Sequence, residues 1–178
     1  MEVSDKFLAL AKQLEMVVFD VDGVFTDGHI LIDHQGNEAK KFHVHDGHGI
    51  KLLLHYGVEV AVLSARESQA VTVRMRDLGV SDVLQGHVDK RSAFEDLIKS
   101  KNMSAAQVAY VGDDIVDLQV MKKVGLSIAV VNAQEAVKQH AHLVTEKAGG
   151  HGAVREVCDF VLAAKGLLSI ALEFNLRS

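Results

Sequence analysis

The chain has 178 residues, of which 48% are apolar and 24% charged, and its formal net charge is −5. This length favours one domain with a sizeable core, and the acidic balance, without any Lys/Arg cluster, argues against a nucleic-acid surface. No apolar run reaches the length of a membrane span, and the amino-terminal stretch carries charges where a signal peptide needs an apolar core. Cys158 is the single cysteine, so it forms no intrachain disulfide, and we expect a cytoplasmic protein.

The hydrophobic pattern predicts strands alternating with helices. A first helix (4–14) leads into a buried strand ending at Phe19, and two alternating segments, 29–33 and 38–44, predict a β-hairpin. Further strands are predicted at 58–65, 82–86, 107–114, 126–131 and 142–145, and further helices at 46–57, 67–78, 90–101, 117–125, 133–141 and 152–168. This alternation predicts an α/β fold, with a Rossmann-like parallel sheet sandwiched by helices. We expect one domain over 1–178, with a hairpin insert at 29–45 and a C-terminal tail at 166–178.

The first predicted strand is followed by two aspartates one residue apart, Asp20 and Asp22, and then by Gly23. Open α/β sheets bind ligands at the carboxyl ends of their strands. Alternation along a continuing strand would put both carboxylates on one face, unless Gly23 turns the chain there. Such a pair repels unless a cation lies between its members, and oxygen ligands suit Mg²⁺. Taken alone, the pair is more typical of a turn or a helix cap.

Three later strands also lead into polar residues. Because the ends of neighbouring parallel strands meet at one crevice, we expect these residues to share one site with the first pair. A carboxylate can attack phosphorus, a hydroxyl and an ammonium can hold phosphate oxygens, and a divalent cation offsets the charge repulsion. The set therefore predicts phosphoryl transfer, although each member alone also fits a helix cap or a solvated helix residue. These residues are Ser64 and Arg66, Lys90, and Asp113 and Asp114 with Asp117.

The same residues carry a resemblance to a known family. Asp20-Val-Asp22-Gly, Ser64, Lys90 and Gly112-Asp113-Asp114-Ile-Val-Asp117 match, in order, the four motifs of the haloacid dehalogenase superfamily of phosphatases. Within it, the stretches 19–28, 42–51, 108–114 and 148–159 are similar to those of 3-deoxy-D-manno-octulosonate (KDO) 8-phosphate phosphatases. The resemblance covers essentially the whole chain. It implies a haloacid dehalogenase-like fold with a hairpin in place of a cap domain, and a Mg²⁺-dependent phosphoric monoester hydrolase of lipopolysaccharide precursor biosynthesis.

The resemblance also implies a role for each matching residue. Asp20 would form an aspartyl-phosphate, while Asp22 would protonate the leaving sugar oxygen and then activate water. Mg²⁺ would be held by Asp20, by the backbone carbonyl of Asp22 and by Asp113, with Asp114 and Asp117 in support. The implied phosphate contacts are Ser64 and Lys90, and the implied sugar-acid contacts are Arg66, Thr26, Gly150 and Arg155.

The insert after the first strand is too short to form a separate cap domain. An open site admits water unless something covers it, and the resemblance implies a homotetramer in which hairpins and C-terminal tails of neighbouring chains close each site. Apolar residues at a chain end suit docking on a partner subunit. The apolar residues of the tail are Leu167, Leu168, Ile170, Leu172, Phe174 and Leu176.

Three positions depart from the pattern of these phosphatases. His45 stands where Arg is usual, His151 where Arg or Lys is usual, and Ala65 where Gly is usual. Arginine binds a carboxylate bidentately, whereas histidine binds it more weakly and in a pH-dependent way. A phosphatase of a sialic-acid-type nonulosonate 9-phosphate therefore stays open as an alternative.

Two further alternatives come from other classes of protein. One is a non-catalytic phosphatase-like module for oligomerisation, against which the joint presence of the motif residues argues. The other is a response-regulator-like signalling domain, which would not need Asp22 and would carry fewer strands.

The histidines raise the possibility of a zinc site. His43, His45 and His48 cluster, and His140 and His142 lie two apart on a predicted strand. Alternation would place His43 and His45 on one face, which permits zinc binding. No Cys/His spacing matches a structural zinc pattern, so we expect surface and site-lining histidines.

Overall fold

The structure, a computed structural model, describes residues 4–177 of the chain and the side chains of residues 4–173. The strands are Met16–Phe19 (β1), Leu31–Ile32 (β2), Glu38–Ala39 (β3), Glu59–Leu63 (β4), Asp82–Leu84 (β5), Val108–Gly112 (β6), Leu126–Ala129 (β7) and Leu143–Val144 (β8). The α-helices are Asp5–Lys12 (α1), Val44–His55 (α2), Gln69–Leu78 (α3), Lys90–Ser100 (α4), Leu118–Met121 (α5), Glu135–Lys138 (α6), Ala153–Ala164 (α7) and Leu168–Arg177 (α8). Two 3₁₀ turns, Ala105–Gln107 and Ile115–Asp117, precede β6 and α5.

Six strands form one parallel sheet in the order β5-β4-β1-β6-β7-β8. Met16 of the central strand β1 aligns with Glu59 of β4 on one side and with Val108 of β6 on the other. All four residues of β1 are buried, as expected for a parallel strand with both faces covered. The predicted α/β class is confirmed.

The order of the strands defines where a ligand would bind. From β1 the chain builds outward through β4 and β5 on one side, and later through β6, β7 and β8 on the other. The two directions separate between β1 and β6, and the carboxyl ends of strands beside such a switch point form a crevice. The residues that follow β1 and β6 therefore face one another.

Helix packing closes the core around this sheet. Helix α2 lies along α7, α1 also packs on α7, and α4 contacts α5. The α2–α7 contact is close because Gly49 has no side chain: a Cβ there would lie 3.1 Å from Cys158 Sγ.

Among the described residues, no helix is long and apolar enough to cross a membrane.

The β-hairpin is shorter than the sequence predicted. Only β2 and β3 pair, antiparallel, and residues 40–43 are not in a strand. His43 is the N-cap of α2, which starts at Val44 rather than at Asp46. The side chains of Leu31 and Ile32 are 56% and 65% exposed, and a two-stranded ladder without a buried face gains little from further pairs.

Several other elements stop short of their predicted bounds. The strand predicted at 58–65 ends at Leu63, and the strand predicted at 107–114 ends at Gly112. The predicted helix at 117–125 is a 3₁₀ turn followed by the four residues of α5. Asp114 caps that 3₁₀ turn, because its side chain accepts the N–H of Ile115. Ser64 and Asp113, which the sequence placed at the ends of strands, thus lie in the loops that follow β4 and β6.

The C-terminal tail contains helix α8, for which the sequence predicted no element. Ala171 is buried, Leu167 and Leu168 pack against the core, and Ile170 and Leu172 are 53% and 52% exposed. The side chains of Phe174 and Leu176, also expected to dock, lie outside the described residues. The described part of the tail thus has both a packed side and an apolar exposed side.

Candidate active site

A cleft of about 150 Å³ opens at the carboxyl ends of the central strands. The loops after β1, β4 and β6 and the start of α4 supply its walls. The residues that line it are Asp20, Asp22, Ser64, Ala65, Arg66, Lys90, Asp113, Asp114 and Val116. The structure therefore brings together the polar residues that the sequence predicted to share one site, apart from Asp117, which lies directly beneath them.

The cleft is built around a buried ion-pair network. Lys90 Nζ lies 2.9 Å from Asp20 Oδ1 and 2.7 Å from Asp117 Oδ1. Tyr110 donates its hydroxyl to the same Asp117 oxygen at 2.7 Å. Burial opposes the charge on Lys90, but the carboxylates of Asp20 and Asp117 outweigh it and raise the pKa of Lys90. The lysine is therefore a fixed cation beside Asp20.

Asp117 uses both of its carboxylate oxygens within the protein. Oδ1 binds Lys90 and Tyr110, and Oδ2 accepts the backbone N–H groups of Asp113 and Asp114 at 2.9 and 3.1 Å. Gly112 makes this possible, because a Cβ there would lie 2.6 Å from the Asp117 side chain. Asp117 thereby fixes the loop after β6.

Asp20 and Asp113 are the carboxylates with capacity left for a cation. Ligand oxygens of Asp20, Asp113 and Asp117 all lie within 4.8 Å of one another, and Asp113 Oδ1 is buried with no hydrogen-bond partner among the described residues. Burial and the neighbouring Asp117 raise the pKa of Asp20 to about 6. Burial, then Asp20 and Asp117, raise the pKa of Asp113 to about 8. Unrelieved repulsion among oxygen ligands is what a bound Mg²⁺ would remove, so these residues fit that ion.

The Asp22 side chain lines the same cleft but pairs with Lys40 and Arg66 instead of joining this cluster. Strand β1 ends at Phe19, and the chain turns at once, with the N–H groups of Val24 and Phe25 bonded to Val21 O. Of the two alternatives left open by the sequence, the strand does not continue through Asp22, and the chain turns at Gly23, which has φ +93°. Asp22 Oδ1 binds Lys40 Nζ, and Oδ2 lies 3.6 Å from Arg66 Nε.

Ser64 follows β4 directly and lines the same cleft. Its side chain is buried, and its Oγ accepts the N–H of Arg66 at 3.1 Å. The backbone N–H of Ser64 donates to Leu84 O, which continues the pairing of β4 with β5 past the strand end. The hydroxyl is thus held on rigid backbone, with its hydrogen free to point into the cleft.

Three predicted substrate contacts lie elsewhere in the single chain. Thr26 is buried and accepts the N–H groups of Gly23 and Gly28. Gly150 packs on the backbone of Asp27, and Arg155 pairs with Asp159 at 2.7 Å. Of the four residues predicted to bind the sugar acid, only Arg66 lines the cleft, and the other three assignments stay predictions.

The histidines do not form a metal centre in the described part of the chain, where the aspartate cluster is the one group with converging ligand atoms. His43 and His45 do not lie on a strand, and their rings stack edge to face, 5.0 Å apart. His142 precedes β8 and accepts the N–H of Ser127 with Nδ1. His45 and His151, which replace basic residues of the family pattern, are exposed.

Sequence reasoning missed three residues that contact the reactive groups. Tyr110 lies in an apolar strand, and Glu38 and Lys40 lie in a hairpin whose charges look solvated. The pattern carried no signal for Glu38 and Lys40, because their partners come from distant segments.

A larger cavity of about 680 Å³ beside the start of β4 has no carboxylate among its described lining residues.

Comparisons with known proteins identify the family of the chain. The family model of haloacid dehalogenase-like hydrolases matches residues 63–157. The 3-deoxy-D-manno-octulosonate 8-phosphate phosphatase KdsC of Escherichia coli (strain K12) is 44% identical over 169 residues, covering 95% of this chain and 90% of the relative. The chain therefore belongs to the haloacid dehalogenase-like hydrolases, in the family that contains the KDO 8-phosphate phosphatases.

Two solved structures show how far the similarity extends. The 3-deoxy-D-manno-octulosonate 8-phosphate phosphatase from Yersinia pestis has a TM-score of 0.92 at 41% identity, covering 94% of this chain and 90% of that chain. The enzyme from Moraxella catarrhalis, in complex with a magnesium ion, a phosphate ion and KDO, has a TM-score of 0.95 at 34% identity. That match covers 97% of this chain and 99% of that chain.

Proposed function

We propose that this protein is a Mg²⁺-dependent phosphatase that hydrolyses KDO 8-phosphate to KDO and phosphate. One observation carries the proposal: Asp20 lies at the switch point of the sheet, 2.9 Å from the buried cation Lys90 and next to a carboxylate cluster suited to Mg²⁺. The substrate is proposed from the 44% identity to KdsC and from the relative solved with Mg²⁺, phosphate and KDO.

The first half of the reaction transfers the phosphoryl group to Asp20. An Asp20 carboxylate oxygen attacks phosphorus, the bond from phosphorus to the sugar oxygen breaks, and Asp22 gives its proton to that oxygen. The Ser64 hydroxyl and the Lys90 ammonium bind the non-bridging phosphate oxygens. Lys90 is already held by Asp20 and Asp117, so it needs no rearrangement to stabilise the developing charge.

The second half releases phosphate from Asp20. A water molecule attacks phosphorus while Asp22 takes its proton, the bond between phosphorus and the Asp20 oxygen breaks, and the Asp20 carboxylate is restored. Mg²⁺, held by Asp20, Asp113 and the backbone carbonyl of Asp22, would offset the repulsion between the carboxylates and the phosphate dianion. Asp114 and Asp117 support the loop that carries Asp113.

Arg66 is the residue best placed to bind an anionic part of the sugar. Its side chain is 46% exposed at the mouth of the cleft and contacts Glu38 and Asp22. A guanidinium can pair with a carboxylate through two parallel hydrogen bonds. An acidic sugar phosphate would therefore engage Arg66 as well as the phosphate-binding residues.

We further propose that the enzyme is a homotetramer whose tail contacts a neighbouring subunit. The cleft of about 150 Å³ is smaller than the roughly 300 Å³ that small-molecule sites usually need. Ile30, Leu31 and Ile32 of the hairpin and Ile170 and Leu172 of α8 are exposed, and contiguous exposed apolar residues suit a protein partner. A cytoplasmic location is part of the proposal, supported by the buried free thiol of Cys158.

A substrate panel tests the function. Phosphate release is measured with Mg²⁺ on KDO 8-phosphate, a sialic-acid-type 9-phosphate and a hexose 6-phosphate. We expect kcat/KM for KDO 8-phosphate to exceed the others by at least about 100-fold, since a site with paired polar contacts discriminates strongly. Equal, slow turnover of all three would contradict a dedicated role, and a preference for the 9-phosphate would reassign the substrate.

A further inference from the structure

Lys40 is a buried cation on the hairpin that reaches the side chain of Asp22. Its side chain is 2% exposed, and its Nζ binds Asp22 Oδ1 and lies 3.0 Å from Glu38 Oε1. The next residue, Lys41, is 65% exposed and pairs with Asp27 instead. A buried ammonium is stable only when it is paired, so Lys40 must keep its contacts with these two carboxylates in the folded protein.

Four side chains close a ring around this contact. Lys40 and Arg66 each bind both Asp22 and Glu38, with Arg66 at 2.5 Å from Glu38 Oε2 and 3.6 Å from Asp22 Oδ2. The two cations differ in exposure, since Arg66 is 46% exposed and Lys40 is buried. Arg66 can turn toward a substrate anion, whereas Lys40 stays in place.

We propose that Lys40 is a positioning residue that holds the Asp22 carboxyl group for proton transfer during phosphoryl transfer. The inference rests on the proposed function, because it takes Asp22 as the acid that serves the leaving oxygen. When Arg66 binds substrate, Lys40 is the described contact that still fixes Asp22. Glu38 anchors Lys40 in turn, so the hairpin positions the acid although it lacks the size of a cap domain.

The leaving group determines how much this positioning matters. As the bond between phosphorus and the sugar oxygen breaks, the proton of Asp22 moves to that oxygen, because an alkoxide is a poor leaving group. A p-nitrophenolate leaves readily without a proton. Loss of Lys40 should therefore slow cleavage of a sugar phosphate much more than cleavage of p-nitrophenyl phosphate.

The test compares Lys40→Met with the wild type in single turnovers with Mg²⁺ and enzyme in excess over substrate. Release of the sugar or of p-nitrophenol then reports the first half of the reaction alone. We expect Lys40→Met to slow release of KDO about 10- to 100-fold, a fraction of what general acid catalysis contributes. Release of p-nitrophenol should change less than about threefold, because it needs no general acid.

Two further variants keep the result decisive. Lys41→Met, on the same hairpin, should leave both rates unchanged. If Lys40→Met fails to fold, Glu38→Gln combined with Lys40→Met removes both charges of this ion pair and should show the same difference between the two esters. Equal slowing of both esters, or no slowing of either, would overturn the proposal.

The design separates this inference from the substrate assignment. If the wild type does not cleave KDO 8-phosphate, the proposed function fails by itself. The comparison is then made with whichever sugar phosphate of the panel the wild type cleaves, and the same difference between esters is required.

Discussion

At Asp113, a carboxylate oxygen is buried without a hydrogen-bond partner among the described residues. Burial, Asp20 and Asp117 raise its pKa to about 8, from an ordinary value of 3.8. Between these two pH values the folded protein binds more protons than the unfolded chain, so the free energy of unfolding of the metal-free protein falls as pH rises. A cation bound between these carboxylates would remove this repulsion.

Asp113→Asn should relieve that repulsion and remove the response to metal. At pH 8 we expect the metal-free variant to melt roughly 2–4 °C above the wild type, the shift expected of about 1 kcal/mol in a chain of this size. Mg²⁺ should raise the Tm of the wild type more at pH 8 than at pH 6, because protons compete with the ion at lower pH. Thermal denaturation with and without Mg²⁺ measures both effects.

A matched control is Asp77→Asn, which removes an exposed carboxylate on α3. It should leave the Mg²⁺-dependent rise of Tm as in the wild type. If Mg²⁺ raised the Tm of Asp113→Asn at pH 8 as much as it raises the Tm of the wild type, Asp113 would not hold the metal.

The sequence predicted the location of those site residues that follow predicted strands. Asp20, Ser64, Lys90 and Asp113 could be placed at one sheet edge because the parallel-strand pattern puts all strand ends there. The partners of Asp22 were not predictable. Lys40 comes from a hairpin whose orientation depends on tertiary contacts, and a lysine in a short polar strand is usually solvated.

At the scale of elements, the loop after β1 is held in place by glycines of the segment before α7. A Cβ on Gly149 would lie 1.7 Å from Gly23 O, and Gly150 N donates to Val24 O at 3.0 Å. Gly23 itself has φ +93°, and a Cβ there would lie 2.0 Å from Asp113 Oδ2. Backbone of one loop thus fits directly against backbone of the other.

Gly149→Ala should therefore displace the loop that carries Asp22. We expect kcat for KDO 8-phosphate to fall by at least about tenfold, since small misplacement of catalytic groups has large effects on rate. Steady-state kinetics together with thermal denaturation measure the change.

Gly57→Ala is the control for a general loss of stability. Gly57 has φ +79° and open space around it, so alanine there costs about 1 kcal/mol of backbone strain at a distance from the cleft. Its Tm should fall while kcat stays as in the wild type. If Gly149→Ala behaves in the same way, the contact between the loops does not position the site.

Element types were more predictable than element bounds. The apolar runs of β1, β4 and β6 were found because buried parallel strands are apolar throughout. The last predicted residues of β4 and β6 were wrong, since Ser64, Asp113 and Asp114 form loop hydrogen bonds that periodicity does not encode. The hairpin was predicted too long because alternation alone does not show whether a face is buried.

At the scale of the whole molecule, the sheet and its switch point account for the cleft, but one chain leaves it open. The hairpin and α8 expose apolar side chains, and the sequence showed the apolar tail without showing its helix. In the proposed tetramer the tail would contact another chain, and the pattern of a single sequence does not determine which surface of that chain it would meet.

The proposed tetramer predicts a sedimenting species of about four times the 19.3 kDa chain mass at micromolar concentration. Ile32→Lys, on the exposed face of the hairpin, should shift the protein toward smaller species because it buries a charge in the interface. Val73→Lys on α3, also at an exposed apolar residue, should not. A wild type that sediments as a stable monomer would contradict the proposal.

The central claim is that Asp20 carries the phosphoryl group during turnover. The most direct measurement is to quench the enzyme during turnover of KDO 8-phosphate with Mg²⁺, reduce it with borohydride, and locate the modified residue by peptide mass spectrometry. Borohydride converts an aspartyl-phosphate to homoserine, so we expect homoserine at position 20. Asp20→Asn, which should fold normally, should show neither homoserine nor phosphate release. Turnover without modification of Asp20, or activity of Asp20→Asn near that of the wild type, would contradict the account.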